Sequence, residues 1–480
     1  MPGFHIEHFG CRAARADGEA VGSHLRAAGL CELEPATADV VVVNTCSVTA
    51  EADRAARAFI RRAHRLNPEA RIVVAGCYAQ RAPNELAALP GVAAVVGNSH
   101  RALAPEIALR LALPSVAAGS IADPTLVPVQ ALFVGNAPSG TVPIWADDRF
   151  AHSFLEETQL VPAAQTRPNL KIQEGCGNRC TFCVIPQTRG SSKSLPGASV
   201  LRQVEGFVAA GGKELVLSGI NLGRWGRDFA RADATPGDGP APRTLAGLVR
   251  AIFYRTALPR LRLSSIEPMD WDAELVGLMA EFGGTRLARH AHLPLQSGSD
   301  DVLRRMHRRY RPWHYAEKME ALGRAAGPEL TLGADVMVGF PGETDAEFEE
   351  TVALIRALPF GYLHLFPFSP RPGTPAWALS AERPVPAVVV EERMTVLRIL
   401  AAEKSRAHRK CFVGRELEVL TLHTPPALER VGRTAALTDN FLPVELDGSL
   451  PANQLVRARV TGLTGGGELF AEAKISAGVV

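Results

Sequence analysis

The sequence predicts a multidomain α/β chain. A parallel-sheet α/β domain comes first, a (β/α) barrel lies in the middle, and a small antiparallel β-barrel ends the chain. Three observations lead there. A length of 480 residues exceeds what one ordinary core holds. Short apolar runs alternate with helical periodicity as far as about Lys404. The last seventy or so residues then switch to short strands separated by Gly, Pro and Asp.

The first hundred residues read as βαβ. "DVVVVNTC" (Asp39 to Cys46) and "ARIVVAGC" (Ala70 to Cys77) are continuous apolar runs, as expected of strands buried on both faces, and "TAEADRAARAFIRRAHRL" between them has helical spacing. "FHIEHFGC" forms an earlier strand ending at Cys11, and "VAAVVGN" a later one. Periodicity dissolves between about Leu111 and Pro168, which marks a connector. Six further apolar runs follow between helical segments: "LKIQE", "ELVLSGIN", "RLRLSSIEP", "RHAHLPLQSGSD", "TLGADVMVGFPGET" and "YLHLFPFSPRPGT". They predict a barrel, complete or partial, interrupted by a surface loop at "RADATPGDGPAP". The domain boundaries expected are 1–135, a linker at 136–165, 166–407 and 408–480.

With 46% hydrophobic and 21% charged residues, sizeable cores are feasible, and a formal charge of +2 argues neither for nor against an acidic partner. The basic residues are nearly all arginine, with seven lysines, a bias that a GC-rich genome accounts for. No basic-then-apolar leader and no apolar span of bilayer length is present, so a soluble cytoplasmic protein is expected, without a membrane partner and as a monomer. Eight cysteines in such a chain do not make a disulfide framework, and grouped cysteines point to metal or catalysis.

Cys176, Cys180 and Cys183 stand at C-x3-C-x2-C in "EGCGNRCTFCVIPQTRG", directly after the first barrel strand, where barrel enzymes keep their chemistry. No further Cys or His lies within about twenty residues. Structural zinc needs four protein ligands, whereas a [4Fe-4S] cube held by three thiolates leaves one iron open. A zinc knuckle borrowing a distant ligand is the competing reading. Cys11, Cys46 and Cys77 each follow a predicted parallel strand and so share one sheet edge, where open α/β sheets bind ligands. Either they form a second cluster site or each is an ordinary buried small hydrophobe. Cys31 and Cys411 have no such company and are read as structural.

The spacing C-x3-C-x-aromatic-C, with Phe182 as the aromatic, resembles the radical S-adenosylmethionine (SAM) superfamily. That resemblance implies a partial (β/α)6 barrel and an open iron that chelates SAM, whose one-electron cleavage gives methionine and a 5′-deoxyadenosyl radical. Two three-cysteine sites in this order, followed by a small β-barrel, resemble the methylthiotransferase family over essentially the whole chain. The implied cofactors are two [4Fe-4S] clusters and SAM, with an auxiliary cluster on Cys11, Cys46 and Cys77 and a last domain of the RNA-binding TRAM type. The strings "NTCSVTAEADRAARAFIRRA", "GCYAQ", "LSGINLGRWG", "HLPLQSGSDDVLRRMHRRY" and "FPFSPRPGTPA" resemble the branch acting on N6-threonylcarbamoyladenosine at tRNA position 37. Implied partners are the tRNA anticodon loop, a flavodoxin- or ferredoxin-like electron donor and a sulfur source. The alternatives are the same chemistry on isopentenyladenosine-37 or on a ribosomal-protein aspartate. A non-enzymatic zinc or iron-sulfur RNA-binding protein is the alternative of another class. The run Arg12 to Ala20 departs from the family's polar Asn/Tyr-containing pattern.

Supporting residues follow from position and resemblance together. Gly211 and Gly212 in "GGKE" fit either a backbone approach to the SAM amino group or a helix C-cap. Glu267, read as ending a strand in "SSIEP", is placed for the SAM ribose hydroxyls, and Gln296 in "HLPLQSGSD" for SAM or RNA. Gly339, with Gly342 and Glu343 in "VGFPGET", matches the family's adenine pocket. Arg308 and Arg309 in "LRRMHRRYR", and Arg457 and Arg459 in "LVRARV", are the RNA-binding candidates.

Overall fold

The computed structural model of the chain describes residues 2–113, 141–150, 155, 157, 160, 162, 165–229 and 242–474. They fall into two compact units: Met1–Thr158 with Val184–Ser191, and Gln159–Cys183 with Ser192–Val480.

The first unit is built on β1 (Gly3–His8), β2 (Cys31–Glu32), β3 (Val40–Thr45), β4 (Arg71–Gly76), β5 (Val92–Gly97) and β6 (Ile144–Trp145). They form one sheet in the order β2-β1-β3-β4-β5-β6, with every pair parallel. Because side chains alternate along a strand, Val40 and Val42 enter one core with Phe4, Ile6 and Val73. Val41 and Val43 enter the opposite core, with Ile72 and Val74. Burial on both faces is why these runs are continuously apolar, each fully buried valine contributing about 1.5–3 kcal/mol. Helix Ala50–Leu66 covers the second core with Ala56, Phe59, Ile60 and Ala63, spaced for one helical face. Its amino end is fixed by Thr49, whose side chain accepts from Ala52 N, and by Glu51 and Asp53 in the first turn.

Two departures from the sequence reading occur here. β2 is an extra edge strand beginning at Cys31, too short to leave a periodic signal. The expected linker at 136–165 contains β6, which pairs with Val95 and Val96 of β5. Half of that linker lies outside the described residues, as does nearly all of the expected loop at 231–242.

The second unit begins with β7 (Asn169–Glu174), β8 (Lys193–Ser194), β9 (Glu214–Gly219), β10 (Arg260–Leu263), β11 (His290–His292), β12 (Thr331–Val338) and β13 (Phe360–Pro367). β8 is an antiparallel edge on β7, while β7-β9-β10 and β11-β12-β13 are parallel sheets. Leu261 joins them, its N–H donating to Arg286 O at 2.8 Å and its carbonyl accepting from Ala288 N at 2.9 Å. The result is six parallel strands, with no pairing of β13 to β7 among the described residues, so the barrel is partial.

β14 (Glu416–Thr421), β15 (Arg433–Thr438), β16 (Pro443–Asp447), β17 (Leu455–Leu463) and β18 (Leu469–Ala473) close a barrel in the order β14-β15-β16-β18-β17. Leu417, Val419, Val444, Leu446, Val460 and Leu469 fill it. The sequence reading had it wholly antiparallel, but β16 and β18 pair in parallel, which closes five strands into a ring.

The small barrel plugs the amino end of the partial one. Phe441, held at φ +68°, lies 5.7 and 5.2 Å from the guanidinium carbons of Arg167 and Arg262 and packs against His290 and Tyr362. Above it, fully buried Glu214 bonds Arg167 at 2.7 Å and Arg262 at 2.8 Å, with Arg260 at 3.3 Å. These three guanidinium groups hold the Glu214 carboxyl well below the usual carboxylate range against the opposing effect of burial. Arg260 continues to Glu418 and Arg262 to Thr438 O, so the ion cluster ties the two barrels together.

Candidate active site

The loop Gly175–Cys183 leaves β7 at its carboxyl end and is shaped from below by Gln173. The Gln173 amide donates to the carbonyls of Glu174 and Gly175 at 2.8 and 2.9 Å and to Ser192 Oγ, while its oxygen accepts from Asn221 N at 2.6 Å. Gly175 takes φ +68°, a turn that glycine adopts without steric cost. At the far side Thr181 pins the loop: its N–H donates to Met306 O, its hydroxyl to Arg305 O, and its carbonyl accepts from Ala376 N.

The sulfurs of this loop collect N–H donors. Asn178 N lies 3.4 Å and Asn221 Nδ2 3.6 Å from Cys176 Sγ, and Arg308 Nη1 lies 3.4 Å from Cys180 Sγ. Burial pushes the Cys176 thiol up, and the N–H groups of Asn178 and Asn221 oppose it. A cleft of about 260 Å³ opens beside the loop, lined among others by Asn178, Cys180, Glu267, Arg308 and Arg309.

The second set of cysteines lies on neighbouring strands. Cys11 stands at the N-cap position of helix Arg12–Ala27, three residues past the end of β1; Cys46 directly follows β3; Cys77 opens helix Cys77–Arg81 after β4. β1, β3 and β4 are adjacent and parallel, so all three residues emerge at one edge. Gly10, at φ +109°, permits the approach: a Cβ there would fall 2.2 Å from Cys46 Cβ. Burial, with the Cys77 and Cys11 thiols nearby, pushes Cys46 up to about 12. Cys77 is raised by burial and opposed by Arg189, whose Nε lies 3.2 Å from its sulfur, and by Asn98 Nδ2 at 3.3 Å. Arg189, 1% exposed, is itself held by Asp17 at 3.0 Å.

Both sets fit a thiolate-ligated iron-sulfur cluster. Each offers three soft donors from one loop or one sheet edge, burial disfavours the free thiolates of Cys46, Cys77 and Cys176, and N–H donors are already aimed at sulfurs a metal would charge. Sequence reasoning missed Asn221, Thr181, Asn98 and Arg189. "GINL" and "PQTRG" carried two of them, but nothing in their spacing ties them to the cysteines.

The remaining predicted residues divide. Phe182 is half-buried within the cysteine loop. Glu267 lines the cleft, though β10 stops at Leu263 and Glu267 stands beyond it, just before the turn Pro268–Asp270. Gln296 is buried at φ +64°, its Oε1 without a hydrogen-bond partner. Gly339 follows the carboxyl end of β12 at φ +76°, its N–H donating to Glu343 Oε2 at 2.8 Å.

Gly211 and Gly212 are not brought to this mouth. They precede β9, where Gly211 N and Gly212 N donate to Val208 O and Phe207 O as a helix C-cap, and Asn453 of the small barrel bonds Gly211 O. Arg308, expected to meet RNA, is 7% exposed and bonded to Glu267 at 2.5 Å as well as to Cys180, so no guanidinium face is left for a phosphate. Arg309 is exposed at the cleft, 3.3 Å from Asp270. Arg457 and Arg459 are exposed on one strand face, but each stands opposite a glutamate of β14, Glu418 and Glu416. Cys31 and Cys411 are exposed and lie outside both cysteine sets.

Comparison with known proteins agrees with this arrangement. Residues 3–97 match the model of the uncharacterized protein family UPF0004, and residues 170–355 that of the radical SAM superfamily. The chain is 34% identical to the threonylcarbamoyladenosine tRNA methylthiotransferase MtaB of Bacillus subtilis, over 93% of this chain and 90% of that one. It belongs to the radical SAM tRNA methylthiotransferase family.

A tRNA-2-methylthio-N(6)-dimethylallyladenosine synthase of Cereibacter sphaeroides is also 34% identical to this methylthiotransferase, over 95% of each chain. Among solved structures, the radical SAM methyltransferase TsrM of Kitasatospora setae matches in fold, with a TM-score of 0.52 at 17% identity over 80% of this chain and 75% of that one. Membership brings SAM and a [4Fe-4S] cluster to this methylthiotransferase, and when bound they supply one-electron cleavage of the sulfonium. The chain's own contribution is positional. Gln173 and Thr181 fix the cysteine loop, Asn178, Asn221 and Arg308 place N–H groups against its sulfurs, and Arg308 orients the Glu267 carboxylate toward the cleft. No helix of the described residues is long and apolar enough to cross a membrane.

Proposed function

We propose that the chain attaches a methylthio group to C2 of N6-threonylcarbamoyladenosine at position 37 of tRNA. Cys176, Cys180 and Cys183 hold the cluster that binds SAM, and Cys11, Cys46 and Cys77 hold an auxiliary cluster that delivers sulfur. The observation that carries this is the pair of three-cysteine sets, each at the carboxyl ends of parallel strands with N–H groups on the sulfurs. A chain that only generated a radical needs one such set.

Glu267 is placed to accept from the SAM ribose hydroxyls, with Phe182, Gln296 and Gly339 around the same mouth; Gly211 and Gly212 are left out because they cap a helix at the other end of β9. Arg309 at the cleft rim and Arg457 and Arg459 on the small barrel meet the anticodon stem-loop. The electron donor is a flavodoxin- or ferredoxin-like protein, a separate source supplies sulfide, and the substrate places the enzyme in the cytoplasm.

The test is mass spectrometry of tRNA nucleosides from cells with and without the gene. Loss of the 2-methylthio-threonylcarbamoyl nucleoside alone is expected. Loss of the 2-methylthio-isopentenyl nucleoside instead would move the chain to the substrate class of the Cereibacter relative.

A further inference from the structure

Three side chains converge from three successive strands of the partial barrel. His292 ends β11, Asp335 is central in β12 and His364 is central in β13, directly opposite Asp335 in register. Asp335 Oδ1 lies 3.4 Å from His292 Nε2 and 3.3 Å from His364 Nδ1, and the three potential ligand atoms all fall within 4.8 Å of one another.

These distances discriminate between two accounts. A charge-assisted N–H···O bond between imidazole and carboxylate closes to about 2.7–2.9 Å. Ligands at about 2.0–2.1 Å from one zinc ion at tetrahedral angles stand about 3.3–3.4 Å apart. Both distances to Asp335 are those of co-ligands. His292 is 7% exposed, and its Nε2 faces Asp335 Oδ1 at 3.4 Å, longer than a well-formed hydrogen bond. Its other nitrogen, Nδ1, is in close contact with Ser265 Oγ, which fixes the ring and leaves Nε2 as the metal-facing atom, the usual arrangement around a ligating histidine. His364, with a side chain 58% exposed, gives an ion a way in.

We propose that His292 Nε2, Asp335 Oδ1 and His364 Nδ1 form a divalent-metal site of the zinc class, with a fourth position open to water or a substrate oxygen. Two imidazoles and one carboxylate without thiolate favour zinc or another borderline first-row cation over calcium or magnesium. The site is chemically unlike the two thiolate sets, so the metals are separable by element.

The experiment is zinc K-edge absorption on full-length enzyme with its iron-sulfur clusters reconstituted, after zinc addition and gel filtration, with iron and zinc measured together. About one zinc per chain is expected, with a first shell of nitrogen and oxygen only and outer-shell imidazole scattering. Asp335→Asn and His364→Gln lose that zinc while keeping wild-type iron, which also reports that they fold. Ser265→Ala weakens retention about 10–100-fold, because it removes only the group that orients His292. Zinc with a sulfur shell, no zinc retained by wild type, or equal zinc in the variants would overturn the site.

Discussion

The guanidinium of Arg308 lies 3.4 Å from the sulfur of Cys180 and 2.5 Å from a carboxylate oxygen of Glu267. One buried side chain thereby links a cysteine of the loop to an acid in the cleft beside it. A run that looks like a surface of arginines in the sequence supplies part of the inside of the site.

Replacing Arg308 with Met removes an N–H donor and a positive charge from beside the Cys180 sulfur, which the proposed function makes a cluster ligand. Hydrogen bonds and charge near the sulfurs set the potential of an iron-sulfur centre, so the Arg308→Met centre reduces at a more negative potential with its iron content unchanged. Redox titration followed by electron paramagnetic resonance measures this. An unshifted potential would remove Arg308 from the account. Reductive SAM cleavage slows in step with the potential.

Gly10→Ala tests the first cysteine set without touching a ligand. A Cβ at Gly10 meets Cys46 Cβ at 2.2 Å, and φ +109° is unfavourable for alanine, so Cys11 and Cys46 are forced apart. Reconstituted iron is expected to fall from about eight to about four per chain, the content of one [4Fe-4S] cluster instead of two. Retention of full iron would show that this edge holds no cluster.

Glu214 predicts an acid limit to stability. Arg262, Arg167 and Arg260 lower its folded-state pKa below the ordinary 4.5, so the stabilisation is fully present above that value and is lost as pH falls below it. Glu214→Ala strands the buried guanidinium groups of Arg260 and Arg262 and the partly buried one of Arg167, and costs about 3–5 kcal/mol at neutral pH. Thermal melts across pH 3–7 should show wild type losing stability below about pH 4.5, with the variant less steep there. Parallel curves for the two proteins would contradict this role.

Arg457 and Arg459 carry the RNA reading of the small barrel. Each has a glutamate across the strand, which weakens its pull on phosphate. Each Arg→Ala change is expected to reduce the salt slope of tRNA binding by about 1 if that arginine meets a phosphate. Filter binding between low and moderate salt measures the slope. An unchanged slope in the double variant would place the RNA contact elsewhere.

The long apolar runs and the cysteine spacings were legible because burial on both strand faces and ligation both act on residue type directly. Val40 to Val43 and Cys176, Cys180 and Cys183 are examples. What escaped depends on which end of an element a residue occupies. Gly211 and Gly212 look like a turn that approaches the SAM amino group, but a helix C-cap needs the same left-handed glycine, here Gly211. Arg308 could not be told from Arg309 because their sequence context is shared, while the fold buries the first and leaves the second exposed. The parallel closure of β16 on β18 also has no sequence signature, since pairing direction is decided by the path of the intervening chain.

The claim that two cysteine sets do different work is tested most directly by Cys46→Ala. Full-length variant is reconstituted anaerobically and given SAM, reductant and tRNA, and 5′-deoxyadenosine and methylthiolated nucleoside are quantified from the same reaction. The account predicts that 5′-deoxyadenosine still forms while the methylthio product is absent, whereas Cys176→Ala yields neither. Methylthio product from Cys46→Ala, or loss of 5′-deoxyadenosine in both variants, would contradict it.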